Sequence, residues 1–196
     1  MTVKEAGVAT TGTGLRRVVP RGVVSLDDFG RFTADRGWSP VERGSGGDPP
    51  DATAWTSQLG TWVTFRHDPV LDLSYAELVG EQAAAAEALI HLGFDCFGPR
   101  EGTAAFRAAS SPVERVAALR LLAASAPGDV DPEVAEAVLV AMTDEDPRVR
   151  LVAAVAATYG PWPQLAAALS WLAEHDPAGE VRQASTDALT VIDAGR

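Results

Sequence analysis

Three histidines, one cysteine and a handful of carboxylates are the side chains here whose types could do chemistry. A catalytic or metal-bound imidazole needs a second ligand or an orienting carboxylate, yet His67, His91 and His175 are dispersed. None stands in an HExxH spacing or near another histidine. His67 and His175 each precede Asp-Pro, which places them as exposed turn residues, and His91 falls near a helix C-terminus, where a cation is mildly favoured. Cys96 sits in Gly93-Phe94-Asp95-Cys96-Phe97 and reads as a packed apolar thiol rather than a nucleophile. A single cysteine forms no internal disulfide, and no Cys/His spacing suits structural zinc. Asp68, Asp72 and Glu77 are near one another in the chain, but a glycosidase needs two carboxylates at a fixed separation in a cleft, which their sequence positions do not provide. Thr11-Gly12-Thr13-Gly14 has the glycines of a phosphate-cradling loop without the preceding strand or the following helix. No catalytic, cofactor-binding or metal-ligating residue is assigned, and no cofactor is expected.

Charge narrows the partners. Of 196 residues, 16 are basic and 27 acidic, a net charge of −11, which opposes attachment to polyphosphate or to an anionic membrane. A nucleic-acid or membrane role is not expected, and any tight partner should be basic. No run reaches the roughly 18 apolar residues of a membrane span, and the first twenty residues lack the apolar core of a signal peptide. The expected location is the cytoplasm.

The alanines show which elements must position these groups. Alanine is rare before residue 80 and recurs afterwards in EQAAAAEALIHLG, TAAFRAA, VAALRLLAASA, VAEAVLVAM and LVAAVAATYG, so the second half is helical and closely packed. Residues 1–22 read as a flexible lead-in. Ser25 with Asp27 and Asp28 starts a helix over 25–36, and GSGGDPPD at 44–51 reads as a loop. Thr53 to Gln58, Thr61 to His67 and Val70 to Glu77 are strand-like runs in an antiparallel meander, and a helix follows from Gly80 to Gly93. The expected fold is therefore a small α+β domain at 23–96 (helix, three- or four-stranded meander, helix) followed by an all-α domain at 97–196. Trp38, Trp55 and Trp62 either fill the core of the small domain or leave one ring exposed as a binding anchor. Phe94, Cys96, Phe97 and Phe106 mark the junction, where shared burial would lock the halves together.

From about residue 100 the chain repeats with a period near 32 to 35 residues. Pro147-Arg148-Val149-Arg150-Leu151-Val152-Ala153-Ala154 aligns with Gly179-Glu180-Val181-Arg182-Gln183-Ala184-Ser185-Thr186, and more loosely with the segment from Ser111 to Ala118. Acidic, Pro-containing turns at 143–147 and 173–177 precede the two Val-Arg pairs. Amphipathic helices precede the turns, one with Val134, Ala137, Val138, Ala141 and Met142, the next with Trp162, Leu165, Leu169, Leu172 and Ala173. Over residues 98–193 this pattern resembles the HEAT-repeat family, especially its short bacterial phycobilisome-lyase type. The resemblance implies an α solenoid of about three helix pairs, with Asp144 or Asp146 bridging to Arg150 and Arg182 between neighbouring units.

Helical repeats bury a core between neighbours and leave a long surface free, which suits binding rather than chemistry. The leading reading is a non-catalytic protein-binding module for a basic partner, with bacterial toxin neutralisation (an immunity protein) as one form. The alternative is a repeat accessory of an enzyme system that loads a cofactor or chromophore. Asp129, Asp131, Glu133, Glu136, Asp144, Glu145 and Asp146 are the candidate partner-binding residues, as an acidic rim or else as helix caps. Val134, Val138, Val149, Val152, Leu165, Leu169, Leu172, Val181, Leu189 and Ile192 are the expected helical core.

Overall fold

A computed structural model describes residues 14–41, 52–98 and 100–194. The first helix begins where a capping box begins. Ser25 Oγ accepts from the Asp28 N–H while the Asp28 carboxylate returns to Ser25, which starts α1 (Leu26–Asp35). The expected meander is present but larger than three or four strands. β1 (Arg16–Val18), β2 (Ser39–Pro40), β3 (Ala52–Thr56), β4 (Trp62–Asp68) and β5 (Leu73–Val79) form one antiparallel sheet in the order β1-β5-β4-β3-β2. The third run starts three residues later than expected, because Val70, Leu71 and Asp72 make the turn; Asp68 Oδ1 accepts from the N–H groups of Val70 and Leu71.

The lead-in expectation fails for residues 14–22. Arg16, Arg17 and Val18 pair with Leu78, Glu77 and Ala76, so this segment closes one side of the sheet. A three-residue strand in a Gly-rich stretch carries no periodicity of its own; its neighbours determine it. The loop expected at 44–51 and residues 1–13 with most of the Thr-Gly motif lie outside the described residues.

Alternation decides what each face of the sheet meets. Val18, Trp55, Val63, Phe65, Ala76 and Leu78 pack with Phe29 and Phe32 of α1, Trp38, and Ala83, Ala86 and Ile90 of α2 (Ala83–Gly93). Phe29 stacks on Phe65 with centroids 4.3 Å apart. The opposite face carries Arg17, Arg66, Tyr75 and Glu77, and its Tyr75 joins Val19 and Leu71 in the core of the helical half.

That half holds α3 (Glu101–Ala108), α4 (Pro112–Ala124), α5 (Pro132–Ala141), α6 (Pro147–Tyr159), a 3-10 turn (Pro163–Leu165), α7 (Ala166–His175) and α8 (Gly179–Ala194). Ser111, Asp131 and Asp146 each cap a helix whose first residue is proline, a start in which the cap feeds an orphan N–H and proline has none to feed. α4 packs on α6 and α6 on α8, while α3 meets α4, α5 meets α6 and α7 meets α8. The amphipathic helix expected from Trp162 is broken, because Pro163 imposes the 3-10 turn before α7. Eight of the ten expected core residues are buried; Val152 and Leu189 are partly buried against the same cluster.

The junction differs from expectation. Phe94 and Cys96 pack with the sheet and α1, whereas Phe106, with Phe97 at its edge, belongs to the helical core. The four therefore do not form one interface. The halves are joined by Val19, Leu71 and Tyr75 and by a set of polar bonds.

Candidate functional site

Those polar bonds engage the groups with the most chemical potential. Tyr159 Oη donates to Asp68 Oδ2 at 2.7 Å and Tyr75 Oη to the same oxygen at 3.2 Å. Burial pushes the Asp68 carboxyl up, but these bonds and the two backbone N–H bonds outweigh it and hold it below the usual range. Burial, reinforced by Glu77, pushes Tyr75 up to about 12, and burial plus the bond to Asp68 raises Tyr159 further. Glu77 accepts from Arg17 at 2.9 Å and from Arg66. Arg17 also donates to the Tyr159 and Ala126 carbonyls, at 2.7 and 3.2 Å, at the C-terminal ends of α6 and α4. Asp68 and Glu77 are thus each saturated by internal donors, and Asp72 is exposed on the turn between β4 and β5. Cys96 is buried, its thiol pushed up to about 11 by burial and by Asp95, and Sγ donates to the Phe94 carbonyl. His67 lies in β4 opposite Ser74 instead of in a turn; all three histidines are exposed. Among the described residues no group of three His, Cys, Asp or Glu side chains could hold a metal ion, and no helix is long and apolar enough to cross a membrane.

The arginines of the repeat form a ladder with a different register from the one the resemblance implies. Arg150 reaches forward and forms a fork with Asp176, Nε–Oδ2 2.6 Å and Nη2–Oδ1 3.0 Å, while its third nitrogen holds the Asp144 and Glu145 carbonyls. Arg115 makes the equivalent reach to Asp144, at 2.8 Å. Arg182 donates to the Asp176 and Pro177 carbonyls. Asp146 bridges no units: it caps α6 and binds Arg148, whose bond pulls the carboxyl down to about 2. The missed partner is Asp176, which is buried and held below the usual range first by its Arg150 bond.

Four of the seven candidate partner-binding carboxylates are consumed in this way. Asp131 caps α5, Glu133 lies 3.7 Å from Arg107, Asp144 binds Arg115 and Asp146 caps α6. Asp129, Glu136 and Glu145 are exposed. Asp129 borders a small cavity of about 180 Å³ with Arg16, Glu87 and His91, and with Leu15 and Phe97 among its walls.

The open surface lies beside the ladder. A groove of about 440 Å³ runs between the end of α5 and α7, lined by Met142, Ala168, Trp171 and Leu172, with the Arg150–Asp176 fork at its polar end. Trp171 is 58% exposed and stacks on His175, one turn later, with centroids 5.5 Å apart. The rings weighed as anchors resolve otherwise: Trp38 and Trp55 are buried, and Trp62 is 43% exposed with its N–H donated to Thr64 Oγ1. Trp171 was legible as an apolar residue off the stripe of Leu165, Leu169 and Leu172. A second groove, about 560 Å³, lies between α3 and α4, walled by Ala105, Ala108, Ala117 and Leu121 with the half-buried Phe97 ring among its lining. In comparisons with known proteins, the chain matches no family model, no curated protein and no solved structure.

Proposed function

We propose that this chain is a non-catalytic protein-binding module for a basic partner, with the helical half acting as a HEAT-like solenoid of three helix pairs. Toxin neutralisation is the specific form in which an acidic module covers a basic active surface. The observation that carries the reading is Trp171, an aromatic ring left 58% exposed over an apolar groove. Tryptophan is the side chain most enriched among binding hot spots, and large exposed rings beside apolar clefts mark contact surfaces. Engagement of Asp68 and Glu77 by internal donors supports the same side, since both carboxylates are already committed to bonds within the fold. Affinity capture from the native host with the wild-type chain and with Trp171→Ala tests it. The expected result is one stoichiometric basic protein held by the wild type and lost from the variant. A pigment or cofactor copurifying with the chain, or identical capture by both, overturns it.

A further inference from the structure

The groove's shape and rim say what kind of segment it accepts. An apolar cavity of about 150 Å³ holds one benzene-sized group, so about 440 Å³ accommodates two or three apolar side chains together. Its walls are helices whose backbone groups are already paired, so an extended segment laid there would find no strand edge for its own N–H and C=O groups. A helix brings its backbone bonds with it and presents side chains at i, i+4 and i+7. The polar end is already neutral, because Arg150 and Asp176 satisfy each other. The charges free to meet a partner stand close in the chain to the lining residues: Glu145 follows Asp144, Glu174 precedes Asp176 by two residues and Glu180 follows Pro177 by three, all exposed. Among the described residues Glu174 has His175, 4.0 Å away, as its ion-pair neighbour, and Arg182 is held by two carbonyls of the turn after α7.

We propose that the groove between α5 and α7 docks an amphipathic basic helix of the partner protein, with its apolar side chains against Met142, Leu172 and Trp171 and its Lys or Arg residues over Glu145, Glu174 and Glu180. This rests on the protein-binding reading and narrows it to one occupant. A second copy is disfavoured because the chain carries a net charge of −11 and would bring like charges together.

The test uses the full chain and a labelled synthetic peptide of about 16 residues with Leu at i, i+4 and i+7 and Lys elsewhere, read by fluorescence anisotropy. Controls are the same peptide with Glu for Lys and a scrambled peptide without the leucine stripe. The basic helix should bind, and Trp171→Ala should weaken it about thirtyfold or more. The triple variant Glu145→Gln, Glu174→Gln, Glu180→Gln should lose about tenfold at low salt and much less at high salt. No binding of the basic peptide, equal binding of the scrambled one, or equal binding by Trp171→Ala overturns the helix proposal. So does a concentration-dependent dimer in sedimentation that Trp171→Ala abolishes. If the peptide fails while Trp171-dependent capture of a host protein persists, the groove takes some other segment and the binding function stands.

Discussion

Arg17 ties the sheet to the ends of two helices. Its guanidinium is nearly buried and donates to Glu77 and to two carbonyls at the ends of α4 and α6. A cation at two helix C-termini is favourable for each macrodipole, and a planar fork serves three acceptors that an ammonium cannot reach together. In Arg17→Met the stem is kept and the charge removed. Glu77 retains Arg66, but the two helix-end carbonyls lose their donor in a poorly hydrated junction. Bonds to charged groups contribute about 1.5–3 kcal/mol each, and breaking a buried pair costs about 3–5 kcal/mol, so the expected loss is about 3–5 kcal/mol.

Urea titration followed by both circular dichroism and tryptophan fluorescence measures it, with Arg31→Met as the control. Arg31 pairs with Asp28 on the exposed face of α1 and should lose no more than about 0.5 kcal/mol. Because Arg17 touches the sheet and both helix ends, its loss should also split the single transition into two, the helical half and the sheet no longer unfolding as one. An Arg17→Met loss equal to that of Arg31→Met, with coincident transitions, would show that the apolar contacts of Val19, Leu71 and Tyr75 hold the halves alone.

Three further outcomes follow from the packing. Leu169→Ala should cost about 2–5 kcal/mol in the same titration, since Leu169 is fully buried between helices. Gly93→Ala should cost about 1–3 kcal/mol, because a Cβ there runs into the Phe32 ring, whose neighbours Phe29, Trp38 and Phe94 leave it little room to move. Asp176→Asn should cost about 3 kcal/mol at neutral pH, Arg150 keeping its carbonyl partners. The folded Asp176 carboxyl lies below its unfolded value, so the stability it adds is present above roughly pH 4 and is lost as pH falls through the folded value. The variant should accordingly lose less stability than the wild type between about pH 5 and pH 2.

What the sequence showed and what it hid divide along local and non-local lines. Ser25 announces a helix start because a cap acts within three residues; Asp131 and Asp146, open between rim and cap, turn out to cap helices, as does Ser111, which the sequence reading did not single out. The core of the helical half was legible for the same reason, since a 3.6-residue period is a property of the segment itself. β1 was not legible, because Arg16–Val18 is a strand only by virtue of β5 beside it. The Arg150–Asp176 pair was hidden by the alignment: Asp176 stands 32 residues after Asp144, yet the forward reach of Arg150 to the next unit's carboxylate is a fact of stacking. The split of Phe94 and Cys96 from Phe97 and Phe106 is of the same kind, since adjacent aromatics were expected to share a core and the chain passes between two.

The same distinction governs the acidic charge. Residues 129–146 read as an acidic rim or else as helix caps, and the structure shows Asp131 and Asp146 capping α5 and α6 and Asp144 binding Arg115, so these turns consume all three. Neutralising them would cost stability before it cost binding. Exposed acidity remains at Asp129 and Glu136, and at Glu145, Glu174 and Glu180, which stand within a few residues of the lining of the groove that leaves Trp171 in water. An apolar patch and exposed carboxylates are neighbours there, and the proposed contact surface rests on that coincidence.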